Sequence, residues 1–369
     1  MYLNHIKLTN FKNYESEELR LSEGLNCFVG RNGMGKTNLL DAIYYLCMCK
    51  SNFGLTDGHI CRHEADFFRL EGRFVREGKK EKVVAKVIPR KKKSMERNDV
   101  LYKTLSEHIG LLPVVMIIPD DTKLVTEGSE ERRRLVDNTL SQYDAAYLSD
   151  LLRYNRLLKQ RNAALKQMGA EGRFNLRLIQ AYDQQMVEPA RHIHQKRQAF
   201  LAQFVTVFQQ YYSSISGRQE EVDCRYHSQL EKEDFLTLME AASEKDRILQ
   251  RTTAGIHKDD LKLFIDGHVL KRFASQGQLK SFVLALKLAQ YDFLRQEKNI
   301  APLLLLDDIF DKLDSQRVKQ LIDLLMEQNF GQVCITDTHN HRLKEVIEAY
   351  QTAHKLFRVD KGQVQEEQF

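Results

Sequence analysis

The chain has 369 residues, 42% of them hydrophobic and 29% charged, with 56 Lys and Arg against 51 Asp and Glu for a net charge of +5. That length carries two or three ordinary domains, and the composition excludes a mostly disordered chain while leaving a polyanionic partner open. No run approaches the ~18 apolar residues a membrane span needs, and no basic segment leads into an apolar one at the N-terminus, so no membrane is expected and the expected location is cytoplasmic.

Residues 1–120 read as mixed α/β. Tyr2–Phe11 alternates loosely as a strand, and Leu25–Val29 is a short apolar strand running into Gly30. A helix striped with Leu39, Leu40, Ile43 and Leu46 follows. Phe67–Val75, Lys82–Pro89 and Asn98–Lys103 suggest an antiparallel meander, with basic Arg90–Ser94 as a hairpin tip.

Residues 121–250 turn helical. Leu135, Leu140, Tyr147, Leu148, Leu151, Leu152, Leu157 and Leu158 fall at helical spacing, with no Gly or Pro between Glu130 and Met168. A second run, Phe174–Ser216, is interrupted only by Pro189, where a kink or break is expected. Gly169–Gly172 then turns a helical hairpin, so this stretch reads as an inserted arm.

In residues 251–369 strands alternate with helices again. Asp259–Leu270 reads as a hairpin turning at Asp266-Gly267, followed by a helix over Leu279–Leu294 and a buried strand over Pro302–Asp308. A helix about Gln316–Gln328 and the strand Gln332–Thr336 complete the pattern of a parallel sheet. The six cysteines form no CxxC pair, which favours reduced, mostly buried thiols.

Three separated pieces carry chemistry. Gly30, Arg31, Asn32, Gly33, Met34, Gly35, Lys36 and Thr37 spell G-x-x-x-x-G-K-T between a strand and a helix. The glycines expose backbone N–H groups to phosphate, the helix dipole faces the charge, Lys36 reaches the β- and γ-phosphates, and Thr37 ligates Mg²⁺. The expected cofactors are therefore ATP and Mg²⁺. The apolar strand Leu303–Leu306 ends in Asp307, expected to hold the metal, and Asp308, expected to orient the attacking water. Ser275, Gln276, Gly277 and Gln278 open the next-to-last long helix. Read alone, Ser275 and Gln278 form a capping box that needs no ligand.

The order of these pieces is similar to that of the ABC-type ATPases. That resemblance implies that the Ser275–Gln278 loop grips the γ-phosphate held by a second subunit, so that ATP gates a homodimer. Leu313 and Asp314, with Asp311 and Lys312 nearby, would cross that interface. Across most of its length the chain resembles more narrowly the RecF family, small relatives of the SMC-type DNA-binding ATPases. Leu8–Tyr14, Val29–Leu46, Glu130–Asp137, Gly255–Leu261, Ser275–Gln278 and Leu304–Asp314 carry this resemblance.

The resemblance implies an α/β ABC-type ATPase head, with mixed sheets and flanking helices, assembled from the N- and C-terminal segments around an inserted helical arm. It places Lys12 and Asn13 near the nucleotide. It further implies slow, DNA-stimulated ATP hydrolysis, binding to double-stranded and gapped DNA, and action with RecO and RecR in loading RecA. The chain departs from the ABC pattern at the switch position, where His339 stands two residues after Asp337. It also lacks a clear Q-loop, for which Pro119–Asp121 is the candidate. Phosphate-gripping candidates are Lys79, Lys80, Lys82, Arg90–Lys93, Arg132–Arg134, Arg153, Arg156, Lys159 and Arg161. No sequence-reading motif is visible. The alternatives are the ATPase subunit of a transporter, against which the long arm argues, another SMC-like protein, or a small-molecule kinase, which would leave Ser275–Gln278 without purpose.

Overall fold

The computed structural model describes residues 1–217, 220–310, 315–327, 330–339, 346–348 and 353–367. In chain order the elements begin β1 (Tyr2–Phe11), β2 (Tyr14–Arg20), β3 (Leu25–Val29), α1 (Lys36–Met48) and α2 (Asp57–Ile60). Then come β4 (Phe68–Arg76), β5 (Lys79–Ile88), β6 (Lys92–Arg97), β7 (Val100–Leu101), β8 (Val114–Ile117), α3 (Lys123–Thr126), α4 (Ser129–Tyr143), α5 (Ala145–Glu171) and α6 (Leu176–Ser216). The rest are β9 (Val222–His227), α7 (Phe235–Leu249), β10 (Asp260–Ile265), β11 (His268–Val269), α8 (Leu270–Phe273), α9 (Gln276–Lys298), β12 (Leu303–Leu306), α10 (Ser315–Glu327), β13 (Val333–Asp337), β14 (His354–Asp360) and β15 (Gln363–Glu367).

The chain forms two compact units, one of Met1–Thr122, Gln210–Gln219 and Gln276–Phe369, the other of Lys123–Gln209 and Glu220–Ser275. The first holds two six-stranded sheets. One is antiparallel, in the order β2-β1-β4-β5-β6-β7. The other runs β15-β14-β3-β13-β12-β8, parallel from β8 to β14 with β15 returning antiparallel. Helix α1 is buried over most of its surface because one hydrophobic cluster joins it to both sheets: Leu39, Ile43 and Leu46 share it with Ile6, Leu8 and Leu70 and with Leu303 and Leu305. Phe11, Tyr45 and Phe68 meet edge-to-face in that core, with centroids 5.4 to 6.3 Å apart, a geometry aromatic pairs prefer.

The second unit combines α4, α5, the residues of α6 up to Gln209, and α7 with a three-stranded sheet, β11-β10-β9. The hairpin of β10 and β11 turns at Asp266-Gly267 as the sequence suggests, both residues at positive φ (46° and 76°). The boundary at about 250 falls elsewhere, however. Strand β10 pairs with β9, whose polar sequence hid it inside the helical stretch, so the segment up to Ser275 belongs to the second unit.

Other expectations are corrected as well. The Glu130–Met168 run is two helices, parted at Asp144, whose side chain accepts the Tyr147 N–H and caps α5. Gly169 to Glu171 are helical, and Gly172, at φ 67°, ends α5. Helix α6 runs through Pro189 unbroken, since a buried face including Met186, Ala190 and Ile193 outweighs one missing backbone bond. The basic hairpin tip is shorter than expected: Lys92–Arg97 is a strand paired with β5, leaving only residues 89–91 to turn. All six cysteines are free, five of them buried.

Candidate functional site

The C-terminal ends of three neighbouring parallel strands, β3, β12 and β13, build the site in the first unit, where an open α/β sheet presents its chemistry. Strand β3 is wholly buried, and the loop leaves it at Gly30. A Cβ on Gly30 would collide with the backbone carbonyl of Val359 in β14, so only glycine fits. Gly33 (φ 81°) and Gly35 (φ 119°) take the left-handed conformations that turn the loop into α1. Arg31, Asn32 and Gly33 form its exposed crest, and Met34 is half-buried.

The loop is clamped from outside. Asn13 Nδ2 donates to the Met34 carbonyl at 3.1 Å, the Tyr14 hydroxyl donates to the Gly35 carbonyl at 2.9 Å, and the Gly362 N–H donates to the Met34 carbonyl at 2.9 Å. Asn38 Nδ2, on α1, donates to Asn13 Oδ1 at 2.7 Å. Lys12, the neighbour of Asn13, is held differently: its Nζ lies 2.7 Å from the fully buried Asp41 carboxylate and over the Phe53 ring. Its charge is spent on α1.

Lys36 is buried at the head of α1, donating to the Gly30 carbonyl at 2.8 Å, with Asp308 Oδ1 at 3.8 Å. The Thr37 hydroxyl stands 2.9 Å from both carboxylate oxygens of Asp307. Sequence reasoning missed the next residue. The fully buried Thr336, in β13, donates from Oγ1 to Asp307 Oδ1 at 2.9 Å and accepts the Asp308 N–H at 2.9 Å. Burial pushes the Asp307 carboxyl up to about 6, and the Asp308 charge adds to the rise, while hydrogen bonds from Thr336 and Thr37 and the Lys36 charge work against it. Asp308 itself sits at φ 42°. A hydroxyl and a carboxylate converging beside a second carboxylate are the oxygen donors a hard divalent cation takes, so Thr37 and Asp307 fit Mg²⁺.

Gln276, Gly277 and Gln278 form the first turn of α9, and Ser275 precedes it. Gln276 lines a cavity of about 330 Å³ that also takes in Asp308, Ile309, Pro119 and Lys280. In the Pro119–Thr122 turn, Asp121 holds Lys287 of α9 at 2.9 Å and accepts the Ile118 N–H at 2.8 Å, so this stretch links β8 to α9. Asp337 ends β13 and its Oδ1 accepts the His339 N–H at 2.7 Å. Asp311, Lys312, Leu313 and Asp314 lie outside the described residues.

The second unit removes several phosphate-gripping candidates. Arg161 is fully buried, with Nε 2.7 Å from Asp183 and Nη1 2.7 Å from Asp246. Arg132 forks onto Asp260, and Arg133 donates to Ser129 and to the Asp259 carbonyl. His257 is bonded to the Tyr154 hydroxyl at 2.9 Å, and burial holds it down to about 4.

The model of the RecF/RecN/SMC N-terminal domain matches residues 2–365. "DNA replication and repair protein RecF" of Bacteroides fragilis is 43% identical over 367 residues, covering 99% of this chain and 98% of its own length. The protein of the same name from Flavobacterium johnsoniae is 40% identical over 357 residues, covering 97% and 99%. Among solved structures, that of the recombination mediator protein RecF-ATP in the RecFOR pathway aligns with a TM-score of 0.89 at 26% identity, over 100% of this chain and 98% of that one. An Smc head domain from Pyrococcus furiosus shares the fold at a TM-score of 0.58, 17% identity and 99% and 96% coverage. Together with the paired sheets and the glycine loop at the head of α1, these likenesses place the chain: it belongs to the RecF proteins of the RecF/RecN/SMC family.

Proposed function

We propose that this chain is an ATP-gated DNA-binding protein of replication and recombinational repair, which binds double-stranded DNA, including at gaps, as a homodimer and hydrolyses ATP slowly. The observation that carries the reading is the convergence of Thr37 on both oxygens of Asp307 beside the buried Lys36 and the clamped glycine loop. The loop N–H groups and the α1 dipole bind the phosphate chain, and Lys36 exchanges the Gly30 carbonyl for phosphate oxygen. Thr37 and Asp307 would hold Mg²⁺, which would supply charge neutralisation at the phosphates. Asp308 orients the attacking water; one methylene shorter than a glutamate, it suits slow turnover.

Completion of the pocket by Ser275, Gln276, Gly277 and Gln278 of a second copy makes closure depend on the γ-phosphate, so hydrolysis opens the dimer. The names of the relatives support DNA repair as the setting, and the RecFOR pathway supports RecO and RecR as partners. The cytoplasm suits that work. Light scattering with and without ATP and a short duplex tests this. Wild type should dimerise with ATP and bind the duplex, and Lys36→Ala should do neither. Solitary wild-type molecules in saturating ATP would overturn the gated dimer.

A further inference from the structure

The segments Glu130–Asp137 and Gly255–Leu261 carry part of the resemblance noted in the sequence, yet neither lies among the nucleotide-binding pieces. Within the second unit they hold each other. Arg132 and Arg133 of α4 bind Asp260 and the Asp259 carbonyl. The Asp259 side chain takes Arg197 Nη1 at 2.9 Å and the Tyr226 hydroxyl at 2.5 Å. Gly255, at φ 111°, turns the chain where a Cβ would meet the Tyr154 hydroxyl at 2.7 Å, and His257 is tied to Tyr154 and to the Thr252 carbonyl. Every charged group of this loop but one is thus turned inward onto an opposite charge. The exception is Lys258, which is exposed.

The same sorting holds at the end of α7. Asp246 faces in, onto Arg161 and the Thr253 N–H and hydroxyl, while Lys245 and Arg251 face out. Among the described residues, none of Lys245, Arg251 and Lys258 takes part in an ion pair. The backbone draws them together: the Arg251 N–H donates to the Asp246 carbonyl at 3.2 Å, and the Thr252 carbonyl meets His257 Nε2, beside Lys258, at 3.2 Å. Burial, Arg251 and Arg133, with Asp246 opposing and Lys245 adding, hold the Lys258 ammonium below the ordinary lysine range. Arg161 and Arg197 hold Asp246 and Asp259 inward behind the patch, which leaves the three cations as its exposed charges.

We infer that Lys258 and Arg251, presented on this braced loop and helix end, bind the phosphate backbone of duplex DNA. The inference rests on the DNA-binding reading above and says which surface of the second unit does it. A cation held on a loop already fixed from behind loses little freedom on binding, and phosphate contacts of this kind position the duplex without reading its sequence.

The test is duplex binding in ATP, measured by anisotropy with a labelled random-sequence duplex over a series of salt concentrations. Each phosphate contact contributes about 0.9 to the slope of log affinity against log salt. Lys258→Gln and Arg251→Gln should each flatten the slope by about that much, and the double variant by about twice that. Lys258→Glu should weaken binding further still. Lys103→Gln, an exposed lysine of the first unit, should keep the wild-type slope. Because the altered side chains are exposed, thermal unfolding should match wild type. A wild-type slope in the double variant overturns the inference while leaving DNA binding intact, as does an equal loss in Lys103→Gln. Absence of any salt-dependent binding by wild type would instead sink the DNA-binding reading itself.

Discussion

Both units bury carboxylates, and Asp307 of the first keeps different company from those of the second. In the second unit, Asp183 and Asp246 share Arg161, and Asp137 and Asp259 share Arg197. Burial still raises Asp183 and Asp259, but a guanidinium is in place to oppose it. In the first unit, Asp307 has two hydroxyls, a second carboxylate beside it, and a lysine occupied with a backbone carbonyl. The first arrangement carries its own counter-charge. The second lacks one, which suits the cation and phosphate chain proposed to bind there and is how a structural charge network differs from a functional one.

The largest expected effect breaks the self-sufficient network. Arg161→Ala leaves Asp183 and Asp246 buried without their cation, and removal of one partner of a buried pair typically costs about 3–5 kcal/mol. Denaturant unfolding monitored in the second unit should show a loss of that order. A loss below about 1 kcal/mol would mean that water reaches these acids and that the contrast with Asp307 is false.

Asp307→Asn should act in the opposite direction. Its carboxyl is raised from 3.8 in the unfolded chain to about 6 in the fold, so the folded state binds the extra proton between those values. The stabilising contribution is complete below about pH 4 and is lost as pH rises to about 6. At pH 7, without nucleotide or metal, the charged group therefore weighs against folding, and Asn should stabilise by about 1–3 kcal/mol. Unfolding curves between pH 4 and 7 should fall for wild type relative to Asp307→Asn. Parallel curves would show that the carboxylate is already compensated.

Thr336→Val sharpens the same contrast. It deletes the donor to Asp307 and the acceptor for the Asp308 N–H, leaving buried groups unpaired at a cost of about 1–3 kcal/mol, whereas Thr336→Ser should recover most of it. Equal stability of the Val and Ser variants would remove Thr336 from the site.

The phosphate loop and the Leu303–Asp308 strand were legible because their signals are local: glycine spacing, an apolar run, a carboxylate at its end. Thr336 was not, since its role depends on β13 lying beside β12 in a register that brings Ile335 opposite Leu306, a long-range pairing no short motif records. Strands β2, β6 and β9 were missed because "YESEELR", "KKSMER" and "VDCRYH" are too polar to show clear alternation. Arg161 and Arg132 looked like surface charges for a related reason. Their acidic partners lie 22 to 128 positions away, so nothing nearby in the chain marks them as buried or paired.

The smallest expected effect asks whether strain adds to the unfinished electrostatics at Asp308. Its φ of 42° lies in the left-handed region, which costs a side chain roughly 1 kcal/mol but costs glycine nothing in the fold. Asp308→Ala and Asp308→Gly both delete the charge beside Asp307 and the 3.8 Å contact with Lys36, so their difference isolates the backbone. Glycine gives back part of its advantage through the freedom it has when unfolded, roughly 0.5–1 kcal/mol. Here the Asp308 N–H is fixed on Thr336 Oγ1 and the Asp307 N–H on the Ile117 carbonyl, so the conformation is held on both sides. Asp308→Gly should therefore be the more stable of the two by up to about 0.5 kcal/mol in nucleotide-free protein. Equal stabilities would mean that Asp308 rests without strain, and that the poise of this site is a matter of charge alone.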